Sequence, residues 1–111
     1  MKKVEFYKTR LNRDSGGLIY EPGNGYLKTY AMDGGITLQI VYSKDKFGRW
    51  ISTELTTGCT AFNCWTHTRK AAMEETEGWL SRQGLSDLRR IELWIAKRQL
   101  PSAAILAGER S

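Results

Sequence analysis

Two cysteines and the single histidine of the chain are the residues whose types could support metal binding or nucleophilic catalysis. Cys59, Cys64 and His67 follow the spacing Cys-x4-Cys-x2-His. A tetrahedral zinc site takes four ligands, and this group falls one short. Cys64 and His67 could also act as a nucleophile and its base, but the sequence specifies no third group that would orient the histidine. A glycine-rich phosphate loop is absent as well. We therefore expect two reduced thiols, no metal, no cofactor and no enzymatic activity.

A row of aromatic and basic residues on one predicted strand has the chemistry of a nucleic-acid-binding face. Tyr26, Lys28 and Tyr30 alternate along the strand, so their side chains share one face of the sheet. Two rings beside an ammonium group can stack bases and hold a phosphate. The competing interpretation is an ordinary half-exposed sheet face with good strand propensity. Because no second strand offers a matching row, the structural interpretation is favoured.

Two charged clusters on the predicted helices are candidate surfaces for a protein partner. The second helix carries basic residues that fit an acidic partner, namely Arg89, Arg90, Lys97 and Arg98. The first helix carries an acidic run that resembles the phosphates of nucleic acid and fits a basic groove, namely Glu74, Glu75 and Glu77. The sign of the target's charge decides which cluster binds. A solvated helix face is the alternative for each cluster.

The elements that position these residues follow from the distribution of glycine. Eight of the 11 glycines lie before residue 60, and they separate runs rich in aromatic and β-branched residues. Turn signals at this frequency predict an antiparallel meander of five or six strands. From residue 68 onward the spacing of apolar residues predicts helices over 68–83 and 86–100, with a short one through Ala107.

The predicted fold is a single α+β domain over residues 1–111, with a β-sheet part at 1–66 and a helical part at 67–107. The strands are expected at residues 4–8, 18–20, 26–32, 36–42, 49–56 and 60–65. Helices that follow a finished meander must pack on its one apolar face. The helical residues expected in that contact are Trp79, Leu80, Ile91 and Trp94. Their expected partners in the sheet are Ile36, Leu38, Ile40, Ile51 and Leu55. Thr68 or Thr66 should cap the first helix and Ser86 the second.

Composition is that of a folded chain with a moderate basic excess. Hydrophobic residues make up 41% and charged residues 26%, close to globular averages, which excludes a disordered or fibrous protein. The net charge of +5 favours encounters with polyanions or acidic surfaces. The start of the chain lacks the apolar segment of a secretion signal, and no apolar run approaches the ~18 residues of a membrane span. We therefore expect a cytoplasmic protein without membrane contact.

The junction between the last strands and the first helix resembles small proteins of phages and mobile elements. A strand at Arg49–Ser52 is followed by Thr57-Gly58, and Trp65–Ala72 then leads into the helix with a Thr-x-x-x-Ala start. Some anti-CRISPR proteins are similar in size, in the order of sheet and helix, and in this junction. The resemblance covers residues 48–82. It implies a non-enzymatic protein that binds and inhibits a host macromolecule.

The same segment is also similar to the AP2-type and integrase arm-binding domains that bind DNA with three strands and a helix. Those domains carry a Gly-Arg-Trp strand and a Thr-x-x-x-Ala-Ala helix start, here Gly48-Arg49-Trp50 and Thr68–Ala72. The resemblance implies a small basic DNA-binding or regulatory module. The strand that would meet DNA departs from the pattern, since it carries Ser52, Thr53 and Glu54 in place of arginines, and Glu54 would repel phosphate.

The leading functional hypothesis is therefore an inhibitor from a phage or mobile element that occupies a host protein or nucleoprotein complex. The DNA-binding module is the alternative, and contact with nucleic acid stays open. The second helix has apolar side chains on two sides between Leu88 and Leu100, more than one sheet contact covers. This excess predicts a homodimer through residues 86–100.

Overall fold

Five antiparallel strands and two helices make up the computed structural model, which describes residues 1–100 without the side chains of residues 62–64. The strands are β1 (Lys2–Leu11), β2 (Leu18–Ala31), β3 (Thr37–Lys44), β4 (Trp50–Glu54) and β5 (Thr60–Thr66), and the helices are α1 (Arg69–Ser81) and α2 (Leu85–Lys97). The sheet has the order β1-β2-β3-β4-β5. The predicted α+β class, with an antiparallel meander followed by two helices, is confirmed. The short helix predicted through Ala107 lies outside the described residues.

The second strand is longer than predicted. Two strands at 18–20 and 26–32, separated by a turn at 21–25, were expected, but β2 runs unbroken through this segment. Pro22 pairs with Tyr7 and Gly23 pairs with Phe6, so the segment belongs to the β1–β2 ladder. The ladder with β3 begins only at Tyr26, which leaves Pro22 paired on one side of its backbone. A proline is tolerated at such a position because its missing N–H is not needed there.

The glycines of this segment let the β1–β2 hairpin fold over the sheet. A Cβ atom on Gly25 would lie 2.5 Å from Val41 Cγ1, so only glycine permits the close approach of β2 to β3. The Thr9 backbone N–H donates to the Gly58 carbonyl at 2.8 Å, which joins β1 to the turn between β4 and β5. Because β1 and β4 are separated by two strands in the sheet, this contact requires the sheet to curl. Phe6 and Val41 are buried on the inner side of the curl.

The outer side of the sheet carries the helices. Ile36, Leu38 and Ile40 are buried there, as predicted, and Leu80 of α1 and Leu88 of α2 pack beside them. Of the four helical residues expected in this core, only Leu80 is fully buried. Trp79, Ile91 and Trp94 are half-buried.

The expected contact between Ile51 and the helices is wrong. The register pairs Ile40 with Glu54, so Trp50, Ser52 and Glu54 lie on the helix side of β4. Ile51 lies on the opposite face, since neighbouring residues of a strand point to opposite sides. Leu55 follows the end of β4 and is half-buried. The sequence pattern misleads because β4 is buried on both faces and has polar residues toward the helices.

One helix start is confirmed and the other is corrected. Thr68 caps α1, since its Oγ1 accepts the backbone N–H of Ala71 at 3.1 Å. Ser86 does not cap α2; the helix begins at Leu85, and the Gly84 carbonyl accepts the N–H of Leu88. Within the described residues, neither helix is long and apolar enough to cross a membrane.

Candidate functional site

The predicted row of Tyr26, Lys28 and Tyr30 lies on the helix side of the sheet. The ammonium of Lys28 is 3.2 Å from a carboxylate oxygen of Glu77 on α1. The hydroxyl groups of Tyr30 and Tyr42 are 2.6 Å apart, and Tyr30 also donates to Glu77 at 3.3 Å. Burial, and then the hydrogen bond with Tyr42, raise the pKa of Tyr30 far above its ordinary value. The row therefore holds α1 on the sheet, with its polar groups bonded inside the molecule.

Tyr26 at the end of this row is also engaged. The Arg69 guanidinium lies over its ring at 4.3 Å from the centroid, and its ring is 6.3 Å from that of Trp50. A guanidinium stacked on an aromatic face is a stabilising contact. Tyr26 and Trp50 thus anchor the start of α1 to the sheet.

The acidic run of α1 divides into two parts. Glu77 is bound by Lys28 and Tyr30, as above, whereas Glu74 and Glu75 are exposed. Glu77 is therefore less available to a partner than Glu74 and Glu75, the exposed part of the run.

The basic cluster of α2 divides in the same way. Arg89 donates to the Gly34 carbonyl at 3.0 Å, and Arg98 lies over the Trp94 ring at 5.0 Å. The side chain of Arg90 is 82% exposed, and its nearest carboxylate is Asp87 at 3.9 Å. Lys97 is exposed as well. Arg90 and Lys97 are therefore the members most available to a partner.

The cysteine and histidine residues give no metal site within the described part of the chain. Cys59 is a free thiol, His67 is exposed, and the Cys64 side chain is not described. No group of three possible ligands forms among the described residues. The metal-free state of the two thiols remains a prediction.

Sequence reasoning missed an aromatic cluster at the turn between β3 and β4. The guanidinium carbon of Arg49 lies 5.1 Å from the ring centroid of Phe47 and 4.7 Å from that of Trp65. Phe47 is 70% exposed and Trp65 is 64% exposed. We call Phe47, Arg49 and Trp65 the stacking triad. Two large rings are thus held at the surface by one arginine.

The turn fixes the position of the arginine. Asp45 Oδ1 accepts the backbone N–H groups of Phe47 and Arg49, each at 2.9 Å, and Asp45 Oδ2 is 3.2 Å from Arg49 Nε. The backbone N–H of Arg49, more than any other group, lowers the pKa of Asp45. Gly48 takes a φ of +80°, which a side chain would strain. The triad therefore stands on an ordered turn.

Basic residues surround the triad. The ladder pairs Trp50 with Thr66, which brings the β3–β4 turn beside the end of β5 and the start of α1. We call residues 44–50 and 65–70 the tip patch. It contains five lysine and arginine residues and one aspartate. Its net charge is therefore +4 with His67 neutral, and the whole chain carries +5. The tip patch is therefore a basic segment that contains two exposed rings.

The pairing of β4 with β5 is the signal that could have revealed this patch. In sequence, Arg49 and Trp65 are separated by a strand and a turn, and the charges look evenly spread. The hairpin register brings them together at one end of the sheet. The Gly48-Arg49-Trp50 segment that resembles DNA-binding strands lies in the same patch.

The remainder of β4 is closed to a large ligand. Ser52, Thr53 and Glu54 are all buried. The Glu54 carboxylate is bound inside the molecule, since it accepts the backbone N–H groups of Thr56 and Thr57. Glu54 is therefore withdrawn from the surface, and this part of the strand cannot contact a duplex.

A cavity of about 360 Å³ lies between the sheet and the helices. Its walls are largely apolar, with Leu38 and Ile40 from β3 and Leu80 and Ile91 from the helices. Thr76 also lines it, and the Thr76 hydroxyl has no hydrogen-bond partner within the described residues. The Thr76 hydroxyl oxygen is shielded by its surroundings, so it is not available to hydrogen-bond a ligand in the cavity.

No family model, curated protein or solved structure matches this chain.

Proposed function

We propose that the protein is a non-enzymatic binding module that holds nucleic acid on the tip patch. The observation that carries this proposal is the stacking triad, in which two exposed rings flank an arginine inside a region of net positive charge. Aromatic faces stack nucleobases, and neighbouring lysine and arginine side chains hold phosphates. Two large rings exposed beside each other form an apolar patch of the kind that marks an interaction site.

The charge of the patch supports a polyanionic partner. Lys44, Lys46 and Lys70 are exposed, and they make no ion pair within the described part of the chain. Asp45, the one acid of the patch, is already occupied by Arg49 and by backbone N–H groups. The three lysines are therefore able to meet a phosphate chain, which favours association.

The test is oligonucleotide binding by matched charge variants, measured by fluorescence anisotropy at several salt concentrations. Lys46→Gln should weaken binding and lower the salt dependence, because one phosphate contact is lost. Arg90→Gln is the control, since it removes the same charge from an exposed position on α2. Equal weakening by both variants, or no binding by the unaltered protein, would contradict the proposal. Heparin, which is a polyanion without bases, measures the purely electrostatic share.

An inhibitor of a host macromolecule, of the anti-CRISPR type, is the second proposed function. It is favoured by the charged side chains that the fold leaves in solvent, the bases Arg90 and Lys97 and the acids Glu74 and Glu75. Charge reversal of each pair, followed by pull-down with a host nucleoprotein complex, separates the two surfaces. Loss of capture with one pair and not the other supports this function, and unchanged capture with both removes it.

A homodimer through α2 remains a proposal too. Leu85 and Leu93 are 50% and 60% exposed on this helix, which leaves apolar surface that a second copy could cover. Leu93→Glu should convert a dimer into a monomer in light scattering. A monomer of 12.7 kDa at high concentration in the unaltered protein would exclude the dimer.

A further inference from the structure

We infer that the tip patch selects single-stranded nucleic acid, with unpaired bases stacked on the outer faces of Phe47 and Trp65. This inference rests on the proposed function and names the form of nucleic acid that the site takes. It follows from three features of the stacking triad: the open ring faces, the distance between the rings, and the lysines beside them.

Both rings of the triad keep a large exposed area although cations lie over them. The Arg49 guanidinium lies over both rings, and the Lys46 ammonium also lies over Phe47, at 5.2 Å from its centroid. Phe47 and Trp65 nevertheless remain 70% and 64% exposed. In this proposal a nucleobase lies flat on the face of Trp65 that is turned away from Arg49, and on Phe47 once Lys46 has moved to a phosphate. Stacking of this kind accepts every base, because each has a π-face.

A base pair in an intact duplex cannot use these faces. Successive bases of a duplex strand are stacked about 3.4 Å apart, so both faces of each base are already covered. The two rings share one arginine, so their centroids are no more than about 10 Å apart. Bases on the two outer faces must therefore be separated by the whole triad. Only a strand whose bases are unstacked and unpaired can meet this requirement.

The phosphates of such a strand are held by the lysines and not by Arg49. Arg49 is held by Asp45 at 3.2 Å and stacked on two rings, so it acts as a positioning residue. The Lys46 ammonium lies 5.2 Å from the Phe47 centroid, close enough to hold a phosphate next to a base on that ring. Lys44 is exposed on the same turn. Base contact and phosphate contact are thus adjacent.

The experiment compares four ligands of equal length by fluorescence anisotropy with the full chain. They are a single-stranded DNA, the RNA of the same sequence, an abasic DNA with the same phosphates, and the paired duplex. The base-bearing strands should bind more tightly than the abasic strand by roughly 5- to 150-fold for each base stacked. The duplex should bind no better than the abasic strand.

Two variants connect this difference to the triad. Phe47→Leu and Trp65→Leu keep the charge and an apolar side chain but remove a ring, so each should lower affinity for the base-bearing strands and leave the abasic strand unchanged. Trp94→Leu is the control, because it removes a half-buried ring from α2, outside the tip patch. All variants alter exposed or half-buried residues, and an unchanged far-UV circular dichroism spectrum confirms folding.

The outcomes separate this inference from the proposed function. Equal affinity for the abasic and base-bearing strands overturns the stacking inference and leaves nucleic-acid binding in place. Preference for the duplex overturns it as well. No binding of any oligonucleotide overturns both proposals. Tighter binding of the base-bearing DNA or RNA than of the abasic strand and the duplex supports the inference, and the ratio of the DNA and RNA affinities identifies the sugar that the site prefers.

Discussion

Two regions of this protein combine aromatic rings with lysine or arginine side chains, and the two regions use these residue types in different ways. On the helix side of β2, Lys28 and Tyr30 bind Glu77 and Tyr42, and their polar groups are satisfied inside the fold. At the β3–β4 turn, the rings of Phe47 and Trp65 stay in solvent around Arg49. The first group stabilises the sheet–helix contact, and the second is available for a ligand. Residue types alone therefore do not define a binding face; the partners of each side chain do.

The largest expected effect is a difference in stability between a variant of the core and a variant of the stacking triad. Leu38→Ala removes a buried side chain beside Leu80 and Leu88 and should lower the free energy of unfolding by about 2–5 kcal/mol. Phe47→Ala at the exposed turn should change it by less than about 0.5 kcal/mol. Urea unfolding measures both. A large loss of stability in Phe47→Ala would mean that the triad is a structural cluster.

The next effect concerns the hydrogen bonds that the Tyr30 hydroxyl makes on the helix side of the sheet. Tyr30→Phe removes the 2.6 Å bond to Tyr42 and the bond to Glu77, so stability should fall by about 1–2 kcal/mol. Nucleic-acid affinity should not change, because this group lies under α1. Tyr20→Phe is the matched control on the same strand. A Tyr30→Phe protein with full stability but weakened oligonucleotide binding would reverse the roles of the two regions.

The raised pKa of Tyr30 gives this network a pH dependence. The folded-state pKa lies above the ordinary value of 10.0, so the stabilisation is fully present below about pH 10 and is lost as pH rises further. The unaltered protein should therefore lose more stability between neutral and strongly alkaline pH than Tyr30→Phe does. Thermal unfolding over that range measures the difference. Parallel curves for the two proteins would contradict the account of the network.

A smaller effect is expected at the cavity between sheet and helices. Thr76→Val replaces a buried hydroxyl that has no partner within the described residues with a methyl group. Stability should stay the same or rise by up to about 1 kcal/mol, since no hydrogen bond is lost. Thr66→Val is the control, because the Thr66 hydroxyl donates to the Thr68 carbonyl at 2.9 Å, and its loss should cost about 0.5–1.5 kcal/mol. Equal losses in urea unfolding would show that the Thr76 hydroxyl has a role.

The smallest effect tests the turn that carries the triad. The pKa of Asp45 is lowered, so its contribution to stability is present above the ordinary value of 3.8 and is lost as pH falls through the lower, folded-state pKa. The difference in unfolding temperature between the unaltered protein and Asp45→Asn should therefore shrink in acid. A difference that is constant from neutral to strongly acidic pH would show that the charge of Asp45 does not hold the turn.

The fold could be predicted where local pattern and tertiary contact agree. The alternation of Ile36, Leu38 and Ile40 gave the correct buried face of β3, and Thr68 was correctly read as a helix cap. At β2 the local signal failed, because the pairing with β1 overrides the turn preference of Pro22 and Gly23. The burial of both faces of β4 also escaped prediction, since it depends on the curl of the sheet.

The candidate site was harder to predict than the fold. Tyr26, Lys28 and Tyr30 were correctly placed on one face, but only the packing of α1 reveals that this face is covered. Conversely, Arg49 and Trp65 meet through a register that sequence spacing does not specify. Binding surfaces formed by residues from two strands need the pairing of the strands before their chemistry is visible.

The most direct test of the central claim is an NMR titration of the protein with a short single-stranded oligonucleotide, followed through the four tryptophan indole N–H signals. Trp65 belongs to the stacking triad, whereas Trp79 and Trp94 line the cavity between sheet and helices. We expect the Trp65 signal and the backbone signals of residues 44–50 and 65–70 to shift, while those of Trp79 and Trp94 stay in place. Shifts confined to α2 or to Trp79 and Trp94, or no shifts at all, would contradict the assignment of the binding site to the tip patch.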